Sequence, residues 1–145
     1  MTRPLLALPA ICALAFAGCA QGGSKAVDST ANFKGEEKAV AQVVESLQAY
    51  GEKGEGDKIC TQLLSGKLSQ QIGDRSGGKG CATAVKDGME ETDKADLTVT
   101  KVTIDPKDAS RATAAVKAKT GDKSSQSSTM ELVKESGRWR ISSFG

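Results

Sequence analysis

Side chains able to do chemistry are scarce in this chain, and the commonest neutral-pH proton carrier, histidine, is missing from all 145 residues. Four cysteines, scattered carboxylates and one tyrosine remain. Cys60 and Cys81, with no histidine to join them, fall short of the four ligands that zinc takes. Glu90, Glu91, Asp93 and Asp96 form the densest acidic cluster. A calcium loop alternates acids with Asn or Gly at fixed offsets; this cluster does not, and it reads as a solvated helix end. Gly73 to Gly80 is rich in glycine, but it lacks the Gly-Lys-Ser/Thr ending of a phosphate loop and no strand precedes it. It reads as a mobile loop. Tyr50 closes an apolar helical stripe, a position where the ring is core and the hydroxyl sits at the rim. No catalytic constellation, metal-ligand set or cofactor motif emerges.

The first 18 residues set the compartment. Met1-Thr2-Arg3 carries one positive side chain, Leu5 to Phe16 is an apolar run, and Ala17-Gly18-Cys19 closes it. A basic start, a short apolar stretch and small residues before a cut are the grammar of a secretory signal. The run is too short for a permanent membrane span, which needs about 20 residues. Phe16-Ala17-Gly18-Cys19 resembles the lipobox of bacterial lipoproteins, usually Leu-Ala-Gly-Cys, with Phe16 standing where an aliphatic residue is commoner. The resemblance implies cleavage before Cys19, lipidation of that cysteine, and a protein held by acyl chains on the outer face of the cell membrane.

Removing residues 1–18 leaves 127, enough for one domain, with 19 basic and 18 acidic side chains. A balance of +1 gives no field to hold nucleic acid, and three aromatic residues in the domain (Tyr50, Trp139 and Phe144) make no stacking platform. With Cys12 lost and Cys19 lipidated, Cys60 and Cys81 remain. In an oxidising compartment they read as one disulfide.

The rest of the chain positions these groups. Residues 19–35 are small, polar and aperiodic, a tether in which Phe33 is the one large apolar residue. Glu36 to Tyr50 reads as a helix with Val40, Val43, Val44, Leu47 and Tyr50 on one stripe, stopped at Gly51. Asp57 is placed to cap a short helix burying Ile59, Cys60, Leu63 and Leu64, and Ser65-Gly66 breaks it before another turn or two at Leu68 and Ile72. A further helix spans Cys81 to Glu91. From Asp96 the period becomes two. Leu97 and Val99 fall at odd positions, Val102 and Ile104 at even ones, so a β-bulge is expected near Thr100-Lys101. Strands with Ala112, Ala114, Val116 and Ala118 inward, then Gln126 to Glu135 and Arg138 to Phe144, complete an antiparallel meander.

Helices followed by a meander make an α+β domain over 36–145. The opening Ala-Val-Ala-Gln-Val-Val, Cys60, Leu63-Leu64-Ser65, Cys81 and the closing Gly137-Arg138-Trp139-Arg140-Ile141 resemble exported bacterial members of the nuclear transport factor 2-like superfamily. That resemblance implies a curved sheet wrapping helices into a cone, often with a pocket, and it covers isomerases, dehydratases and non-enzymatic binding domains alike. An enzyme on that fold sets titratable groups on inward strand faces. Here those faces carry Ala, Val, Met, Leu, Ile and Trp. The expected function is therefore a lipid-anchored, non-catalytic binding domain for a small apolar ligand or a protein partner, with Tyr50 and Trp139 at the pocket rim. The alternative is an isomerase- or dehydratase-type enzyme centred on Tyr50. Inward alanines either leave that pocket open or let the first helix pack the core solid.

Overall fold

The computed structural model describes residues 29–91, 95–121 and 124–145, so the signal, Cys19, most of the expected tether and Asp93 lie outside the described residues. The fold is α+β: four helices and a four-stranded antiparallel open sheet in the order β1-β2-β3-β4.

Helix α1 spans Gly35–Glu52, with Glu36 and Glu37 in its first turn at the positive end of the helix dipole. Its buried residues are Val40, Ala41, Val44 and Gln48; Val43, Leu47 and Tyr50 are half-buried beside them. The inward stripe is thus turned from the expected one. The cause is Gln48, whose Oε1 accepts from the β1 backbone at Leu97 N (2.9 Å) while its Nε2 donates to Glu52 Oε1 (3.0 Å). Both ends of the amide are satisfied, which is what a buried polar group needs. The stop at Gly51 is corrected as well. The helix runs to Glu52 and closes where Gly54 takes φ +67°, with Gly54 N on Gly51 O (3.0 Å) and Glu55 N on Tyr50 O (2.9 Å). Those paired bonds are a Schellman motif, which needs its glycine at the left-handed residue.

Helix α2, Gly56–Lys58, starts from Glu55, so Asp57 lies inside the first turn and is not its cap. It flows into a π-helical turn, Ile59–Leu63, in which Leu64 N reaches back five residues to Ile59 O at 3.0 Å. Ile59, Cys60, Leu63 and Leu64 are all buried, as expected. Leu64 then extends and bridges Ile141 in parallel, with Ser65 N on Ile141 O at 2.8 Å. Helix α3, Gly66–Arg75, begins from Ser65, whose hydroxyl caps Leu68 N at 3.2 Å. It consumes the first residues of the expected Gly73–Gly80 loop, leaving the turn to begin at Ser76. Helix α4, Cys81–Glu91, packs on α2, α3 and the π-turn. It comes so close to α2 that a Cβ on Gly56 would lie 2.4 Å from Ala82 O. Cys60 and Cys81 form a disulfide with Cα atoms 6.1 Å apart.

The strands are β1 Ala95–Ile104, β2 Arg111–Thr120, β3 Gln126–Glu135 and β4 Arg138–Phe144. The β1–β2 register shifts between Val99 and Lys101, the bulge that the change of apolar phase requires. A second shift, between Glu131 and Leu132 against β4, has no such mark in the sequence. β3 and β4 meet at Ser136-Gly137, both at positive φ (50° and 79°), the two-residue hairpin turn whose twist suits the strands. On the inward face Ala114 is 0 % exposed and Val116, Leu132 and Ile141 are buried with it against Val40 and Val44. Small alanine side chains let α1 approach closely, so this part of the inward face is packed core.

Residues from Ser29 to Lys34, placed in the tether by the sequence pattern, belong instead to the folded unit. Ser29–Asn32 is a 3-10 turn with Ser29 and Thr30 buried, and Phe33 packs against the core. Specific polar partners on α1 and β1, described below, hold this small-residue stretch in place.

Candidate functional site

Tyr50 and Trp139, the two expected rim residues, line one groove of about 410 Å³ along the flank of α1. Ala39 and Val43 of α1, Leu63 of the π-turn and Trp139 of β4 supply its apolar surface. Gln42, Ser46, Gln62 and the Tyr50 hydroxyl supply its polar groups, with Lys134, Gly137 and Arg138 of the β3–β4 hairpin at one end. The groove lies beside the packed core, between helix and hairpin, and not inside the sheet as the cone expectation had it.

One end is built around Glu36. Its Oε2 accepts from Trp139 Nε1 at 2.6 Å and its Oε1 from Lys134 Nζ at 2.8 Å. Lys134 and Trp139 are register partners across β3 and β4, and the ammonium also stands 5.2 Å from the centre of the indole ring. Trp139 is only 5 % exposed, so its buried N–H takes an acceptor reached from a different element. The hydrogen bond from Lys134, then that from Trp139, holds the Glu36 carboxyl below the usual carboxylate range. A group kept ionised in this way is a poor proton acceptor near neutral pH.

At the other end the Tyr50 hydroxyl donates to Gln62 Oε1 at 3.2 Å, and Lys58 Nζ lies 5.4 Å from the centre of the tyrosine ring. Lys58 is itself paired with Glu55 at 2.7 Å, and that hydrogen bond raises its pKa. The carboxylate an isomerase-type tyrosine would need is not beside the hydroxyl; an amide is. The π-turn is what delivers Gln62 and Leu63 to the groove, and such turns recur at functional sites.

Sequence reasoning missed Glu36 and Lys134 as site residues. A signal was present: Lys134 stands at a β3 position with the same parity as inward Met130 and Leu132, and a lysine there must meet an anion. A second cleft, about 680 Å³, opens across the solvent face of the sheet under α3. Lys67, Gln71, Thr103, Thr113 and Glu131 line it with exposed polar side chains. The acidic cluster does not gather into a cation site. Glu90 is exposed, 3.9 Å from Lys86, and among the described residues no three His, Cys, Asp or Glu side chains come together to hold a metal. No helix among the described residues is long and apolar enough to cross a membrane.

Comparison with protein-family models, curated proteins and solved structures finds no match to this chain.

Proposed function

We propose that this protein is a lipid-anchored, extracytoplasmic binding domain of the nuclear transport factor 2-like type, and that it works without catalysis. The groove between α1 and the β3–β4 hairpin takes a small apolar or weakly polar ligand. The observation that carries this reading is the placing of Tyr50 and Trp139 on one groove whose carboxylate, Glu36, is tied up by Lys134 and Trp139. Apolar floor, a few fixed hydrogen-bonding groups and no poised base suit recognition through burial, at about 25 cal/mol per Å² of apolar surface. The chain carries a single tryptophan, so its emission reports on this groove alone. Titration with 1-decanol is expected to change Trp139 emission saturably. A response that only rises linearly to the solubility limit would speak for a filled surface with no ligand site.

The anchor rests on Phe16-Ala17-Gly18-Cys19. Two or more acyl chains make attachment stable where a near-neutral domain has no electrostatic grip of its own. Cys19→Ala is expected to move the protein from the membrane fraction to the soluble fraction. A variant that stays with membranes through a high-salt wash would rule out the lipid on Cys19.

A further inference from the structure

Strand β1 is one edge of the sheet; at the other edge, β4 is met by Leu64 through its bridge to Ile141. Edge strands offer backbone groups that pair with any extended chain. Two N–H groups of β1 are answered here by side chains. Leu97 N donates to Gln48 Oε1 at 2.9 Å, and Val99 N donates to Ser29 Oγ at 3.4 Å. The Ser29 hydroxyl in turn donates to Glu45 Oε1 at 3.5 Å, and the same oxygen accepts from Thr30 N at 3.1 Å. Ser29 and Thr30 are 4 % and 6 % exposed, so two small polar residues ahead of α1 are buried through specific partners. Beyond Val99 the bulge bends the strand and spoils its edge for pairing. The covered stretch is therefore the regular part, Ala95–Val99.

We infer that Ala95–Val99 is a strand-pairing surface, that Ser29–Asn32 is a strap closing it, and that its occupant when the strap lifts is the same edge of a second copy. Register supports the second copy. Antiparallel self-pairing centred on Leu97 sets Leu97 opposite Leu97, Ala95 opposite Val99 and Asp96 opposite Thr98. Apolar residues meet apolar ones on the inward face, and no like charges face each other. The same register directs the N–H groups of Leu97 and Val99, those now answered by side chains, at the new strand. Two four-stranded sheets would then join into one of eight.

The test uses the full chain in detergent, with Ser29→Ala and Glu45→Ala combined. Sedimentation and amide hydrogen exchange are read on parent and variant. The parent is expected to stay monomeric with Leu97 and Val99 protected. At low concentration the double variant should lose that protection by roughly tenfold or more, and it should dimerise as concentration rises. Adding Thr98→Asp, which sets a carboxylate opposite Asp96 of the second copy at both ends of the pairing, should return it to monomer. A double variant that stays monomeric at every concentration overturns the pairing surface. Unchanged exchange at Leu97 and Val99 overturns the strap. Loss of the cooperative melt would also overturn it, by making Ser29–Asn32 part of the core.

Discussion

Cys60→Ser is expected to lower stability by about 3 kcal/mol, the chain-entropy value for a crosslink whose partners are 21 positions apart. For a domain of this size that corresponds to a fall in melting temperature on the order of 10 °C. The loss should not be spread evenly. The bond ties Cys60, in a π-turn buried against the sheet-side core, to Cys81 at the start of α4. Helix α4 packs on α2, α3 and that turn, with only half-buried side chains such as Val85 and Met89. Releasing the bond leaves those contacts to hold α4 alone. Hydrogen exchange on the reduced protein should rise first across α3 and α4, with β2 and β3 still protected. Exchange that rises everywhere together would show that the disulfide secures the whole fold and not this flank.

Trp139→Ala carries the other large effect, about 3–5 kcal/mol, as expected for emptying a buried tryptophan site. Trp139→Phe should cost less, because the ring volume is mostly kept and only the N–H to Glu36 is lost. The same contact makes stability depend on pH. The folded carboxyl of Glu36 is held below its unfolded value, so its contribution is complete above the ordinary glutamate pKa of about 4.3 and is lost as pH falls through the lower folded value. Glu36→Gln should therefore be less stable than the parent near pH 7, and the gap should close below about pH 4. A gap that stays constant from pH 7 to pH 3 would remove the ion pair and hydrogen bond from the account. With Glu36 more than half exposed, 55 %, the effect is modest beside the loss of the indole.

What the sequence makes legible is whatever a local period or a fixed chemistry can carry. The phase change between Val99 and Val102 marks the bulge, because a strand can switch its buried parity only by adding a residue. Ser136-Gly137 marks the hairpin, because both residues must take positive φ. Cys60 and Cys81 find each other because an exported chain with two thiols oxidises them. Contacts between distant elements leave weaker traces. The turn of α1 that buries Gln48 depends on an amide of β1, 49 positions away, and Glu36 meets Trp139 from 103 positions away. Ser29 and Thr30 look like linker because nothing local distinguishes a buried serine from a solvated one; the difference lies in Glu45 and Val99. The site was half visible for the same reason. Tyr50 and Trp139 announce themselves as large amphipathic rings, whereas Glu36 and Lys134 become site residues only through the fold.

The claim that the groove binds without catalysing is tested most directly by assaying the parent beside Tyr50→Phe for turnover of small carbonyl substrates. The Tyr50 hydroxyl is the oxyanion donor an isomerase- or dehydratase-type reaction would use, and here it faces the amide of Gln62. The account predicts no turnover above buffer by either protein, with Trp139 emission still responding to 1-decanol in both. Turnover by the parent that disappears in Tyr50→Phe would contradict it.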